Sequence, residues 1–248
     1  MRRHARFAFG LGFWPIIQHA LCRDRSRLLS TAPGYGWTVM GDGARIDTSI
    51  DQTSARPAPA DGPGPEIVRF ICGIYLALAG WKLRGDFPAL DKAVLVAAPH
   101  TSNWDGLNML ATAGYYRVKL RWMGKKSLTT GPFGGVIKWL GCVPIDRSAA
   151  NDVVRVMTDA FAAAPKMILA IPPEGTRSAT REWKTGFYHI ARAANVPLIL
   201  SVLDYGAKTV SLAAVISPSG DYDADLRVIQ SYYATATGKH ADKFKIRR

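Results

Sequence analysis

Short apolar runs at residues 94–97, 121–123, 142–145, 167–171, 197–202 and 210–216 are separated by stretches in which apolar residues recur at helical spacing. No other feature limits the possible fold as much. Runs of this length bounded by turn formers read as strands. Between them, Leu107, Leu110, Ala111 and Tyr115, then Val153, Val154, Met157, Ala160 and Phe161, then Phe187, Ile190, Ala191 and Ala194, each fall on one side of a helix. Strands this uniformly apolar offer no face to water, so both faces of their sheet must be covered. The alternation predicts an α/β fold, a mostly parallel sheet flanked by helices. Chemistry in such sheets gathers in the loops beyond one set of strand ends.

The 248 residues, 48% of them hydrophobic, supply the core of one sizeable domain. The first 65 read differently. Arg2, Arg3 and Arg6 precede FAFGLGFWPII at 7–17, like the front of a secretory signal, but no small-residue cleavage site follows, and Pro15, Gln18 and His19 weaken the pattern. RPAPADGPGP at 56–65 holds too little apolar surface to order itself. Residues 1–65 are therefore expected to form a poorly ordered N-terminal extension outside the fold, and 66–248 the working domain.

That domain opens with IVRFICGIYLALAGWKLR at 67–84, a helix candidate whose uncharged part from 70 to 81 falls short of the ~20 residues that span a bilayer. An apolar interfacial helix, with Trp81, Lys82 and Arg84 near the headgroups, is the reading favoured by its basic and aromatic end. An ordinary core helix is the alternative. The net charge of +13 asks for an anionic partner: nucleic acid, anionic lipid or a phosphorylated small molecule. No helix-turn-helix signature, zinc-ligand spacing or aromatic pair within a basic strand motif speaks for nucleic acid. Cys22, Cys72 and Cys142 are odd in number and far apart, which supports neither a disulfide framework nor a metal site.

Three loops follow predicted strands. In AAPHTSNWDG at 97–106, Ser102-x-x-Asp105 matches a capping box, which accounts for Asp105 without chemistry. It leaves His100 unexplained. A turn that folds the strand end over the helix start lets Asp105 hold one ring nitrogen while the other takes a proton. PPEGTRS at 172–178 offers backbone N–H groups, a hydroxyl and a guanidinium in succession, an anion cradle on one reading and a charged glycine turn on the other. The third region is GKKSL at 124–128 with GCVPIDRS at 141–148, joined by a short helix from about 133 to 140. Its Lys125, Lys126 and Arg147 add positive potential. His189 falls inside a helical pattern and reads as structural, and KHADKFKIRR at 239–248 reads as a solvated or lipid-facing basic end.

Taken together, His100-x4-Asp105, Pro144-Ile145-Asp146-Arg147, Pro173-Glu174-Gly175-Thr176-Arg177-Ser178 and Val196-Pro197-Leu198-Ile199 resemble, in order and spacing, the four blocks of the 1-acylglycerol-3-phosphate and glycerol-3-phosphate acyltransferase family. HTSNWD at 100–105 and WKTGF at 183–187 resemble a compact bacterial-type branch of it. The likeness covers about residues 66–216. Pro172 departs from the aromatic common before Pro-Glu-Gly, and the last block runs into LSVLDY at 200–205 without a closing proline. The resemblance implies acyl transfer from an acyl-CoA or acyl-carrier-protein thioester to a lysophospholipid hydroxyl, with His100 as general base and Asp105 holding its tautomer. It implies an acceptor phosphate bound by Glu174, Gly175, Thr176 and Arg177, with Lys125, Lys126 and Arg147 as weaker contributors. It also implies no cofactor or metal, an anionic membrane surface as partner, and a peripheral or monotopic place on the cytoplasmic face of the membrane. Two other outcomes stay open: an acyl thioesterase using the same pair on water, although no G-x-S-x-G elbow occurs, and an acyltransferase for a non-phosphate lysolipid such as lyso-ornithine lipid. A non-enzymatic membrane-binding protein with an idle site is a third.

Overall fold

Three strands with almost no polar residue form the middle of the sheet: β4 (Lys92–Ala98, KAVLVAA), β7 (Met167–Ile171, MILAI) and β8 (Leu198–Asp204, LILSVLD). The computed structural model describes residues 37–39, 45–48, 50, 52, 63–145, 150–180 and 182–246. Among these the other strands are β1 (Trp37–Val39), β2 (Arg45–Asp47), β3 (Lys82–Arg84), β5 (Leu120–Lys125), β6 (Cys142–Ile145) and β9 (Thr209–Ser217). The helices are α1 (Pro63–Leu78), α2 (Asn103–Tyr115), α3 (Lys126–Thr130), α4 (Gly134–Trp139), α5 (Ala150–Ala163), α6 (Gly186–Ala193) and α7 (Tyr222–Ser231).

The sheet runs β1-β2-β9-β8-β4-β7-β5-β6, with β3 on β9 as well. β8, β4, β7, β5 and β6 are parallel. β9 returns antiparallel on β8, and β2 and β1 continue antiparallel beyond it. The sheet is thus mixed: the expected parallel strands form one part and an antiparallel edge the other. β3 and β2 share the outer side of β9, β3 alongside Thr209 to Ser211 and β2 alongside Val215 to Ser217. Residues 37–39 and 45–47 therefore belong to the sheet, and Ile46 is buried in its core. The boundary expected at residue 65 sets these strands outside a fold that includes them.

The period-two geometry of a strand divides the core. Val94, Val96 and Ala98 of β4 point to one face, against Met157 and Phe161 of α5, Phe187 and Ile190 of α6 and Ile229 of α7. Ala93 and Leu95 point to the other, against Ala113 and Tyr116 at the end of α2. Each fully buried large apolar side chain, Phe187 or Leu200 for example, contributes about 1.5–3 kcal/mol relative to exposure.

The helix expected over 67–84 ends sooner. Gly80 takes φ +76, its N–H bonds the Ala77 carbonyl, and the Trp81 N–H bonds the Leu76 carbonyl at 2.8 Å. This left-handed stop satisfies the last free carbonyls of α1. Lys82 and Arg84 then enter β3, and Trp81 is buried edge-on against Tyr205, ring centroids 4.8 Å apart. The expectation that Trp81, Lys82 and Arg84 sit at headgroups as part of the helix is corrected on this point. α1 itself carries Ile67, Phe70, Ile71, Ile74 and Leu78 exposed, at i, i+3, i+4, i+7 and i+11, so its apolar stripe faces away from the protein. Its opposite side packs on α2, where Gly114 leaves room for Cys72. No helix among the described residues is long and apolar enough to cross a membrane.

Candidate active site

β4, β7, β5 and β6 are parallel, so the loops after them open on one edge of the sheet. The β4 loop begins with a cis Ala98–Pro99 bond, and His100 follows, its side chain 26% exposed. Ser102 is the N-cap of α2, and Asp105 lies in the first turn, where a carboxylate is favoured by the helix dipole. The Asp105 carboxylate is buried and clamped. Oδ2 accepts the N–H groups of Thr101 (2.6 Å) and Ser102 (2.7 Å), and Oδ1 accepts the hydroxyls of Ser102 (2.7 Å) and Tyr205 (2.6 Å). His100 Nδ1 stands 3.7 Å from Oδ2, an electrostatic contact beyond hydrogen-bond range. Capping and pairing with His100 are therefore compatible: the cap fixes the carboxylate that the ring faces.

The β7 loop meets this one directly. Pro173 and Glu174 are buried, and Glu174 Oε1 accepts the backbone N–H of His100 at 2.8 Å, while Oε2 is buried with no hydrogen-bond partner. Burial pushes the Glu174 carboxyl up to about 7, against its own N–H and that of His100, which favour the charged form; the charge of Asp105 adds to the rise. Gly175 then turns the chain outward at φ +65, a conformation costly for any other residue. Thr176, Arg177 and Ser178 follow in the open, with the Ser178 N–H on Thr176 Oγ1 at 3.2 Å. Arg177 lies close enough for its charge to act on the His100 ring. Desolvation lowers the His100 pKa first, Asp105 opposes this, and Arg177 lowers it further. The ring is therefore held below its ordinary 6.5 and is neutral at pH 7.

Of the remaining candidates, Lys125 and Lys126 stand exposed at the end of β5, two strands from β4, about 10 Å away at ordinary strand spacing. Arg147 lies outside the described residues. His189 stacks on Tyr222, centroids 6.4 Å apart, on the surface of α6. The C-terminal tail is exposed at Lys239, His240, Ala241, Asp242 and Lys245, and is tied to the β4 loop and the core at a few points. The His240 N–H donates to Thr101 Oγ1 at 3.2 Å, Lys239 Nζ lies 4.8 Å from the centre of the Trp104 ring, and Phe244 and Ile246 pack against the core. Two residues at the site lie in stretches singled out in the sequence, WKTGF and LSVLDY, where neither was given a role. Lys184 folds its stem over Gly175, 3.0 Å from where a Cβ would stand, and adds a cation beside the loop. Tyr205 reaches Asp105 across 100 positions of sequence.

Residues 82–202 match the model of the Acyltransferase family. The chain is 36% identical over 109 residues to a 1-acyl-sn-glycerol-3-phosphate acyltransferase of Salmonella typhimurium strain LT2, covering 41% of this chain and 43% of that protein. It is 35% identical over 120 residues to the protein of the same name from Escherichia coli strain K12, covering 46% and 47%. The chain thus spans less than half the length of these curated relatives. Among solved structures, the 1-acyl-sn-glycerophosphate (LPA) acyltransferase PlsC from Thermotoga maritima aligns with a TM-score of 0.49 and 16% identity, over 68% of this chain and 76% of that one. Residues 82–202, which hold His100, Asp105 and the 172–178 loop, thus form a domain similar to the acyltransferase family.

Proposed function

We propose that this protein is a membrane-associated O-acyltransferase that moves a fatty acyl group from a thioester, acyl-CoA or acyl carrier protein, to the hydroxyl of a lysophospholipid such as 1-acylglycerol-3-phosphate. The observation that carries this reading is the convergence of two loops. A ring held neutral at pH 7, faced by a clamped carboxylate, shares its surroundings with the Arg177 guanidinium. His100 Nε2 takes the proton of the acceptor hydroxyl as its oxygen attacks the thioester carbonyl; the C–S bond breaks, and the thiolate recovers that proton from the imidazolium. The products are an ester and a free thiol, with no acyl-enzyme. A base of this kind is worth ~10²- to 10⁴-fold, so holding both substrates in line must supply much of the remainder. Arg177 offers a forked donor to the acceptor phosphate, with the Gly175–Thr176 backbone and Lys184 beside it. Glu174 is assigned to bracing the loop through His100 N–H.

The exposed stripe of α1, with exposed Trp104 and Leu107 on α2, supports docking to a bilayer, where a lysolipid acceptor resides. The positive net charge favours an anionic surface. The test incubates the purified protein with each donor type and a panel of lysophosphatidate, other lysophospholipids and lyso-ornithine lipid, read by mass spectrometry beside His100→Ala. Acylated lysophosphatidate from wild type alone is expected. Free fatty acid without acylated acceptor replaces this reading with a thioesterase.

A further inference from the structure

Behind the His100/Asp105 pair lies a chain of polar side chains that runs from the site to α1. The Tyr205 hydroxyl donates to Asp105 Oδ1 at 2.6 Å, Asn108 Nδ2 donates to the Tyr205 oxygen at 3.2 Å, and the Tyr75 hydroxyl donates to Asn108 Oδ1 at 3.0 Å. Asn108 is buried at 2% exposure in α2, and Tyr75 belongs to the inner side of α1. A capping box needs none of these three residues. Ser102 and Asp105 complete it between themselves, with the Ser102 N–H on Oδ2.

We infer that Tyr205 is a positioning residue for this pair: it holds Asp105 Oδ1 so that Oδ2 faces the His100 ring, and Asn108 and Tyr75 in turn hold Tyr205. The inference rests on the reading of His100 as the base and Asp105 as its partner. Three features make Tyr205 suited to the part. Its backbone is anchored independently, with its N–H on the Thr237 carbonyl at 2.8 Å. Its ring is packed edge-on against Trp81, so the hydroxyl has little freedom to swing. Burial, then the hydrogen bond and charge of Asp105, push its pKa well above the ordinary 10, so it remains a donor throughout the working range. The residue belongs to LSVLDY, the stretch in which the sequence leaves the family pattern, and this contact gives that departure a use.

The same chain ties the pair to the helix whose other face is apolar and exposed. Tyr75 and Ile74 are adjacent on α1, one turned to Asn108 and one to solvent.

Tyr205→Phe keeps the ring and its Trp81 contact and removes only the donor. The phenol disperses part of the Asp105 charge; without it more of that charge acts on His100 and favours the imidazolium. The titration midpoint of His100, followed by NMR of histidine-labelled protein and assigned with His100→Ala, is expected to rise, and the acid limb of kcat/KM to rise with it. The carboxylate, left with its Thr101 and Ser102 contacts alone, is held less firmly, so kcat is expected to fall about tenfold, with both KM values within about twofold and the melting temperature close to wild type. Tyr75→Phe is expected to act in the same direction and more weakly. A folded Tyr205→Phe protein with unmoved midpoint and unmoved kcat overturns the inference, as does a kcat loss matched by lost folded fraction with no change of midpoint. If Tyr205→Phe does not fold, Asn108→Ala carries the test, and an unmoved midpoint there overturns it equally. The titration needs no turnover: a shifted midpoint in a protein whose wild type acylates nothing removes the proposed function and leaves the Tyr205 contact standing.

Discussion

Glu174 Oε1 accepts the backbone N–H of His100 at 2.8 Å, joining two loops that lie 74 residues apart in the chain. The carboxyl that does this is almost fully buried, with one oxygen unpartnered. Its pKa of about 7 lies above the ordinary 4.5, so between those values the folded protein holds a proton that the unfolded chain releases. Stability from this group is complete below the unfolded value and is lost as pH rises through about 7. Glu174→Gln keeps the acceptor oxygen and does not titrate. The stability difference, wild type minus variant, is therefore expected to fall by about 3 kcal/mol between pH 4 and pH 8, measured by denaturant titration at each pH. Glu174→Ala removes the brace and is expected to cost activity at least tenfold where Gln costs little. A parallel pH course for wild type and Glu174→Gln contradicts the buried-charge account.

A base must be neutral to act, and the His100 ring is held below 6.5 by burial and by Arg177, against Asp105. The acid limb of activity is therefore expected to lie below pH 6.5. Arg177→Gln removes one of the two influences that lower the pKa, so the acid limb of kcat/KM is expected to move to higher pH. Arg177→Lys keeps the charge but loses the fork, so the limb is expected to stay while the acceptor KM rises about tenfold, the worth of a lost charged hydrogen bond. Full kcat/KM profiles of the three proteins from pH 5 to pH 9 check both. An unchanged acceptor KM in Arg177→Lys counts against phosphate recognition at this position.

Gly175 is where the buried Pro173–Glu174 segment turns out toward Arg177, at φ +65. Gly175→Ala meets two costs: the left-handed backbone, about 1–2 kcal/mol, and a Cβ 3.0 Å from Lys184 Cγ, which the flexible lysine relieves by shifting. A drop of roughly 2–6 °C in melting temperature is expected. Because Lys184 and Arg177 are both re-aimed, the acceptor KM is expected to suffer more than kcat. Calorimetry with steady-state kinetics tests the pair of effects, and a variant with wild-type melting temperature and wild-type KM would show that the turn bears no such strain.

How much of this was readable beforehand depended on the range of the contact. β4, β7 and β8 carry near-continuous apolar runs, so period and composition sufficed. β1, β2 and β3 have three residues each, too few for any periodicity to register. The end of α1 was legible in principle: Ala79-Gly80 ahead of Trp81 is a glycine stop, but the apolar run on either side conceals it. The antiparallel return of β9 had a signal as well, since only the residues 205–208 separate it from β8, and a parallel crossover needs a dozen or more. His100, Asp105 and Glu174 announced themselves as loop residues after strands. Tyr205, Lys184 and the tail over Thr101 did not, because their roles exist only through contacts the local sequence leaves unspecified.

α1 turns Ile67, Phe70, Ile71, Ile74 and Leu78 to solvent, with Leu78 85% and Phe70 70% exposed. A helix of a water-soluble domain places such a stripe inward; here the inner side is supplied by Leu76, Tyr75 and Cys72 against Ala111 and Tyr115 of α2. Exposing the outer residues to water costs stability that only another apolar phase recovers, at roughly 25 cal/mol per Å² covered. Phe70→Glu with Leu78→Glu places two charges on that stripe and touches neither the α2 contact nor the Tyr75 hydroxyl. The double variant is expected to keep the wild-type melting temperature and its turnover of a short-chain, water-soluble acceptor. Its co-sedimentation with vesicles containing anionic lipid is expected to fall by at least tenfold, and its activity on vesicle-borne acceptor to fall in proportion. Undiminished sedimentation assigns membrane contact to another surface, and a loss of activity toward the soluble acceptor as well assigns the stripe to the fold.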